Sequence, residues 1–142
     1  MWICQELEPM KIKALIVDDD RYIRDGMAQL LECEEDIEVV GKADSGELAL
    51  TLAESTTPDI IIMDYSMPGM DGAETTKMIM ASGSTPKIIG VSMHTNTFYV
   101  KRMKEAGAVA FLPKGSDLDE LLLAIRRVLE GQTYFPEYLY DA

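Results

Sequence analysis

The chain has 142 residues, a length that fits one domain better than two. Apolar residues make up 47% and charged residues 27%, an ordinary globular balance that excludes wholesale disorder. Asp and Glu number 25 against 13 Lys and Arg, giving a net charge of −12 that disfavours binding of nucleic acid or an anionic membrane by this chain alone.

Short apolar strands alternate with single helices along the chain. The first apolar run, 14–17, predicts a strand, and a helix follows with Asp20 as its cap. Further strands are predicted at 37–41, 60–63, 88–91 and 108–112, and the helices at 21–32, from Ser45, at 73–81, at 97–106 and at 117–130. Strands joined in this way form right-handed crossovers, so we predict an α/β fold with a parallel sheet covered on both faces.

The two ends of the chain lie outside this alternating pattern. Residues 1–10 are predicted to be an N-terminal extension and lack the basic start and apolar stretch of a secretory signal. Residues 11–132 form the predicted domain, and residues 133–142 form an aromatic tail with no element of its own. No apolar run reaches the roughly 18 residues of a membrane helix. The two cysteines, Cys4 and Cys33, fit neither a disulfide framework nor a metal-ligand spacing, which favours a cytoplasmic protein.

Polar side chains follow four of the five predicted strands. They are Asp18, Asp19 and Asp20 after the first strand, Asp64 after the third, Ser92 after the fourth and Lys114 after the fifth. Because the carboxyl ends of parallel strands meet at one edge of the sheet, where ligands bind, we expect these side chains to lie together. Two carboxylates about 4 Å apart repel by about 4 kcal/mol near a protein surface. The cluster therefore predicts a hard divalent cation, Mg²⁺ or Mn²⁺, with Lys114 neutralising part of the remaining charge.

Such a cluster suits phosphoryl transfer. An aspartate carboxylate beside Mg²⁺ can attack a phosphoryl group and form an aspartyl phosphate. Negative charge in that transfer spreads over the equatorial oxygens, so catalysis depends on positioning and on cations. Lys114 supplies positive charge in this hypothesis, and Ser92 donates a hydrogen bond to a phosphoryl oxygen. Asp20 is instead expected to cap the first helix.

Four motifs together carry a resemblance to a known family. They are Val17-Asp18-Asp19, Asp64 followed by Met67-Pro68-Gly69-Met70-Asp71-Gly72, Ser92, and Phe111-Leu112-Pro113-Lys114. Over about residues 11–132 the chain resembles the receiver domain of bacterial two-component response regulators, and the stretches 24–27, 36–41 and 124–131 resemble the NarL/LuxR-type subfamily. The resemblance implies a flavodoxin-like (βα)5 doubly wound parallel sheet with strand order 2-1-3-4-5.

The resemblance also assigns the chemistry to particular residues. It implies that Asp64 is the phosphoacceptor and takes its phosphoryl group from a histidine kinase or a histidine phosphotransfer domain. Asp19, Asp64 and the backbone carbonyl of Ser66 would hold Mg²⁺, with Asp18 assisting through water, and Lys114 would contact the phosphoryl group. The chain would catalyse only its own phosphorylation and dephosphorylation, so we do not expect an enzyme.

Ser92 and Phe111 are the switch pair that the resemblance implies. Ser92 moves toward the phosphate, and the Phe111 ring turns inward into the space that Ser92 leaves. This change reshapes the face of the fourth helix, fifth strand and fifth helix, where a partner or a second copy of the chain docks. Phe111 stands where tyrosine is common, and Met93 stands where a smaller residue is usual and is expected to narrow access. His94 and Ser66 are expected to tune the lifetime of the phosphorylated state.

Several functional readings stay open at this point. Proteins of the NarL/LuxR type continue into a helix-turn-helix domain, so we expect the regulatory domain of a transcriptional response regulator, with residues 133–142 as a tail or the start of a linker to an output domain absent here. A stand-alone single-domain regulator or phosphorelay intermediate is the alternative. Weaker alternatives are a Mg²⁺-dependent phosphatase of the haloacid dehalogenase type using Asp18 and Asp20, an adaptor that is not phosphorylated, and a flavin-binding module.

Overall fold

The computed structural model describes residues 10–136 of the chain. Residues 1–9 of the predicted extension, including Cys4, and residues 137–142 of the predicted tail lie outside the described residues. Within the described range, none of the helices combines the length and the apolar character needed to cross a bilayer.

Strands and helices alternate throughout the described chain. The strands are β1 (Ile12–Val17), β2 (Ile37–Ala43), β3 (Ile60–Asp64), β4 (Lys87–Ser92) and β5 (Ala110–Pro113). The helices are α1 (Arg21–Glu32), α2 (Gly46–Thr56), α3 (Gly72–Ala81), α4 (Thr97–Ala106) and α5 (Leu118–Leu129). These elements confirm the predicted order, and differences at their ends amount to a few residues.

The five strands form one parallel sheet in the order β2-β1-β3-β4-β5. This is the predicted doubly wound arrangement. The register pairs Val17 with Met63 and Asp64 with Val91, and it pairs Ser92 with Pro113. The residues that end or follow β1, β3, β4 and β5 therefore lie along one edge of the sheet.

Two apolar layers cover the sheet, one on each face. Alternate strand residues such as Leu15 and Ile61 pack with α2, α3 and α4 on one face. Their neighbours Ile16 and Ile62 pack with α1 and α5 on the other. Every residue of β3 is buried. Continuous apolar runs, rather than alternating ones, are what a strand covered on both faces requires.

Polar side chains cap the helices. The predicted cap Asp20 accepts hydrogen bonds from the backbone N–H groups of Tyr22 and Ile23 at 2.9 and 3.2 Å. Asp71 caps α3 in a reciprocal pair with Glu74, in which each side chain accepts from the backbone N–H of the other residue. These bonds satisfy donors that the first turn of a helix otherwise leaves unpaired.

The segment after α5 pairs with the edge of the sheet through a single bridge. Tyr134 forms a parallel bridge with Ala110, in which its N–H donates to the Val109 carbonyl at 2.9 Å and its carbonyl accepts from the Phe111 N–H at 3.1 Å. We call residues 133–135 the edge segment, because they pair with the outer edge of β5. The Tyr134 hydroxyl donates to Glu120 Oε2 at 3.0 Å. The described part of the tail forms no helix or strand of its own, as predicted, but Tyr134 is held against β5.

Candidate functional site

The carboxyl ends of β1, β3 and β5 bring Asp18, Asp64 and Lys114 into contact. The Lys114 Nζ atom lies 3.1 Å from Asp18 Oδ2 and 3.1 Å from Asp64 Oδ2. Both aspartates are 1% exposed. Buried charges of this kind persist only when they are paired, because an unpaired ion loses its hydration without compensation. The geometry thus joins three residues that are far apart in the chain, as the strand-end argument predicted.

Asp19 adds a third carboxylate to this edge. One carboxylate oxygen from each of Asp18, Asp19 and Asp64 lies within 4.8 Å of the others. Asp18 Oδ2 is buried and, among residues 10–136, receives no hydrogen bond, although Lys114 lies close to it. A converging set of hard oxygen atoms with one unsatisfied member suits Mg²⁺. The residues present therefore fit the divalent cation that the sequence predicts.

Backbone donors fix the orientation of the two buried carboxylates. Asp18 Oδ1 accepts from the Asp20 N–H at 2.8 Å, and Asp64 Oδ1 accepts from the Ser66 N–H at 3.2 Å. Asp64 is therefore anchored through Oδ1 and accepts from Lys114 through Oδ2, whereas Asp18 Oδ1 accepts from both the Asp20 N–H and Lys114, the latter at 3.4 Å. The loop after β3 also folds back tightly, since a Cβ atom at Gly72 would lie 2.3 Å from the Asp64 carbonyl oxygen. Only glycine permits that approach without a shift of the backbone.

Burial and neighbouring charge perturb the ionisation of this site. Burial, followed by repulsion from Asp18, raises the pKa of Asp64 from its ordinary 3.8 to about 7, and attraction to Lys114 limits the rise. Burial also works against the ammonium of Lys114, but hydrogen bonds and attraction to Asp18 and Asp64 outweigh it and raise the pKa of Lys114. Lys114 therefore stays charged, while the Asp64 carboxyl exchanges its proton near neutral pH.

Ser92 and Phe111, the predicted switch pair, are both fully buried. Ser92 Oγ accepts from the His94 N–H at 2.9 Å, and the Ser92 carbonyl accepts from the Lys114 N–H at 2.9 Å. The Phe111 ring lies in the apolar layer beside Gly90, where an added Cβ would come within 3.1 Å of the ring. The movement of this pair that the resemblance implies stays a prediction. Met93 is 75% exposed.

The sequence analysis did not identify three further residues near the site, Tyr65, Tyr99 and Arg102. Tyr65 follows Asp64, and its ring meets the Tyr99 ring edge-on with centroids 4.9 Å apart. Arg102 Nη1 donates to the Tyr65 hydroxyl at 3.1 Å. The His94 ring stacks on Tyr99 at 5.0 Å. The position of Tyr65 directly after the predicted phosphoacceptor was the available signal, but its partners are distant in sequence.

The phosphatase alternative required Asp18 and Asp20 to act as a pair. In the structure the Asp20 carboxylate is exposed and accepts from the first N–H groups of α1. It is therefore occupied as a helix cap, and the pair that this alternative needs does not face the site.

Comparison with known proteins decides the family. The family described as response regulator receiver domain matches residues 14–126. The chain belongs to the response regulator receiver domain family. Receiver domains are signalling domains rather than enzymes that turn over a separate substrate, and they act in phosphorylation-based two-component signalling with histidine kinases. Receiver domains generally bind Mg²⁺ at an acidic pocket, and the described part of this chain holds an acidic cluster of Asp18, Asp19 and Asp64.

Curated relatives and solved structures agree with this assignment. The receiver domain is 39% identical over 123 residues to the response regulator GacA of Pseudomonas aeruginosa, and 41% identical over 121 residues to the transcriptional regulatory protein LiaR of Bacillus subtilis. These matches cover 87% and 85% of this chain. A LuxR-family two-component response regulator from Aurantimonas sp. superposes with a TM-score of 0.86 at 32% identity, covering 91% of this chain and 92% of that one.

The match with the curated relatives covers only part of their length. The aligned region is 58% of GacA and 57% of LiaR. The predicted NarL/LuxR-type character of the receiver domain is nevertheless confirmed, since the relatives and the LuxR-family structure all align across the predicted domain.

Proposed function

We propose that Asp64 is the phosphoacceptor of this receiver domain. The observation that supports the proposal is the three-residue contact at the sheet edge. Asp64 presents one oxygen to Lys114 at 3.1 Å, while its other oxygen is held by the Ser66 N–H. A carboxylate held in this way is already positioned for attack and loses little conformational freedom when it reacts. Such positioning is one of the two main contributions that a protein makes to phosphoryl transfer, and electrostatic stabilisation is the other.

The proposed reaction takes a phosphoryl group from a phosphohistidine of a histidine kinase or a histidine phosphotransfer domain. An Asp64 carboxylate oxygen attacks the phosphorus atom and forms the new P–O bond. The P–N bond breaks, and the imidazole nitrogen leaves with its electron pair. Lys114 contacts the phosphoryl oxygens and balances their charge. In dephosphorylation, water attacks phosphorus, and the carboxylate of Asp64 leaves.

The proposed metal ligands are Asp19, Asp64 and the backbone carbonyl of Ser66, with Asp18 acting through water. When bound, Mg²⁺ or Mn²⁺ neutralises the carboxylates and the incoming phosphoryl oxygens. The buried Oδ2 atom of Asp18, which pairs with the Lys114 ammonium but receives no hydrogen bond within residues 10–136, supports this assignment, because a water on a cation would supply such a donor. Lys114 remains necessary, since it is the cation that the chain itself supplies.

We propose that Ser92 and Phe111 transmit the phosphorylated state to the surface formed by α4, β5 and α5. Ser92 Oγ is held by the His94 N–H, so its movement toward a phosphoryl group would pull on the start of the loop before α4. We propose that His94, Met93 and Ser66 control the approach of the attacking water and so set the lifetime of the phosphoryl group. A partner or a second copy would dock on the reshaped surface.

The proposed context is a transcriptional response regulator. LiaR, a relative at 41% identity, is a transcriptional regulatory protein. On this proposal residues 11–132 form the regulatory domain, residues 1–10 an extension, and residues 133–142 a tail or the start of a linker. We keep the sequence-based prediction of a cytoplasmic location, where a histidine kinase would reach Asp64.

The test is incubation of the chain with a small phosphodonor and Mg²⁺, followed by intact-mass measurement. Wild type is expected to gain one phosphate, and Asp64→Asn none. Glu54→Gln, which changes an exposed carboxylate on α2, is the control and should react like wild type. Chelation of the metal should suppress the reaction. A phosphate gained equally by Asp64→Asn, or by no variant at all, would contradict the proposal.

A further inference from the structure

Two side chains of α4 contact the loop that follows Asp64, the proposed phosphoacceptor. Tyr65, the first residue of that loop, is 5% exposed, and its ring packs edge-on against Tyr99. Its hydroxyl accepts a hydrogen bond from Arg102 Nη1 at 3.1 Å. Tyr99 and Arg102 are three residues apart on α4 and therefore lie on one face of the helix. Both the ring and the hydroxyl of Tyr65 are thus held from the same helix.

Arg102 also reaches the far end of the same loop. Its Nη1 atom lies 3.5 Å from Asp71 Oδ2, and Asp71 caps α3 through the Glu74 N–H. The Gly72 N–H donates to the Tyr65 carbonyl at 2.8 Å, which closes the loop at its base. Ser66 lies between the two points that Arg102 contacts. Arg102 of α4 therefore contacts both ends of the loop that carries Ser66, the proposed carbonyl ligand.

The loop after β4 meets the same helix. The His94 ring stacks on the Tyr99 ring with centroids 5.0 Å apart and an angle of 21° between the planes. The His94 N–H donates to Ser92 Oγ. Tyr99 thus contacts a residue from each of the two loops that flank Asp64. A single helix face consequently sets the position of both loops.

We propose that Arg102 and Tyr99 are positioning residues, which act through Tyr65 to hold the loop that presents the Ser66 carbonyl to Mg²⁺. The proposal rests on the proposed function, and it assigns these residues no contact with the metal or the phosphoryl group. A loop that is ordered before the cation arrives loses less conformational freedom on binding. Removing the Arg102 contacts should therefore weaken Mg²⁺ binding while the sheet and the carboxylates stay in place.

The direction in which Arg102→Gln changes Mg²⁺ affinity distinguishes a positioning role from a purely electrostatic effect. Arg102→Gln removes a positive charge, and that change alone would strengthen the attraction of a cation to the acidic edge. Loss of positioning predicts the opposite result. Partners of metal ligands commonly change metal affinity by about 10- to 100-fold, and because Arg102 acts through a loop we expect Mg²⁺ to bind about threefold to tenfold more weakly.

The experiment measures Mg²⁺ affinity of the unphosphorylated full chain by titration calorimetry. The variants are Arg102→Gln, Tyr65→Phe, which keeps the ring and loses the hydroxyl, and their combination. The two single changes should weaken binding and should be non-additive, because they break the same hydrogen bond. Lys101→Gln removes an exposed charge from the same helix and serves as the control, with unchanged or slightly tighter binding expected.

The outcomes separate this inference from the proposed function. If wild type binds Mg²⁺ and gains phosphate on Asp64, but Arg102→Gln and Tyr65→Phe keep wild-type affinity, the positioning role is overturned and the proposed function stands. If Arg102→Gln binds Mg²⁺ more tightly than wild type, loss of the positive charge alone explains the effect of Arg102 and the inference is again overturned. If wild type neither binds Mg²⁺ nor accepts phosphate, both fall. Weaker binding in both single variants, with Lys101→Gln unaffected, supports it.

Discussion

Replacing Asp64 by asparagine is expected to stabilise the metal-free protein at neutral and alkaline pH. The pKa of the Asp64 carboxyl is raised to about 7 from 3.8, because the ionised form is buried beside Asp18. Between these two values the folded chain holds a proton that the unfolded chain has released. The contribution of the Asp64 carboxyl to the free energy of unfolding is therefore fully present below about pH 4 and is lost as pH rises through about pH 7. Because asparagine has no ionisable group, Asp64→Asn does not lose this stability as pH rises.

The size of the effect follows from the difference between the two pKa values. Each pH unit corresponds to about 1.4 kcal/mol, so a rise to about 7 amounts to roughly 4 kcal/mol once Asp64 is ionised. Asp19 is exposed beside it, so water reaches this edge of the sheet and screens part of the repulsion. We therefore expect Asp64→Asn to add about 2 kcal/mol of stability near pH 8 and close to nothing near pH 4.

Urea denaturation in the presence of a chelator measures this difference directly. The free energy of unfolding of wild type and Asp64→Asn is compared at about pH 4, 6 and 8. Glu54→Gln, which changes an exposed carboxylate on α2, should differ from wild type by less than about 0.5 kcal/mol at every pH. If Asp64→Asn is no more stable than wild type near pH 8, the argument that burial and Asp18 oppose ionisation of Asp64 is refuted.

Three further changes test other features of the structure. Because the Asp64 carboxyl must lose its proton to bind a cation, calorimetry should show Mg²⁺ binding about tenfold more weakly near pH 6 than near pH 8, and a pH-independent affinity would contradict this. Tyr134→Phe removes the hydrogen bond to Glu120 and should lower the free energy of unfolding by about 1 kcal/mol, whereas an unchanged urea midpoint would show that the bond contributes nothing. Gly72→Ala places a Cβ against the Asp64 carbonyl and should destabilise the fold by about 1–3 kcal/mol, while its control Gly26→Ala, in open space on α1, should stabilise it by about 0.5–1 kcal/mol. Equal shifts of the thermal unfolding midpoint for Gly72→Ala and Gly26→Ala would contradict the claim that a Cβ at position 72 clashes with the backbone.

The strand pattern was predictable because the sheet is covered on both faces. Runs such as 60–63 are continuously apolar, and such runs separated by single helices leave few other topologies. The predicted start of the fifth strand at Ala108 was two residues early. The Ala108 N–H still donates to the Met103 carbonyl at the end of α4, so the strand begins only at Ala110. Apolar composition does not reveal that a residue closes the preceding helix.

The acidic edge was predictable for a related reason. Once the sheet is parallel, residues that end or follow β1, β3 and β5 must meet, and the contacts of Lys114 with Asp18 and Asp64 confirm that meeting. The roles assigned to these residues stay predictions until the phosphorylation test. The contact of Arg102 with Tyr65 could not be foreseen, since it joins residues 37 positions apart with no periodic pattern between them.

The edge segment changes what a docking partner meets on the surface of α4, β5 and α5. A bare outer strand is a template for pairing with another chain, and here Tyr134 already occupies the hydrogen-bonding positions of Val109 and Phe111. The Phe135 ring lies 4.6 Å from the Lys104 ammonium on α4, and the Tyr134 ring lies 5.6 Å from the Arg127 guanidinium on α5. The Phe135 ring therefore lies against α4 and the Tyr134 ring against α5, next to the edge of β5. A partner that docks on this surface must either contact the two rings directly or displace the edge segment before it can pair with β5.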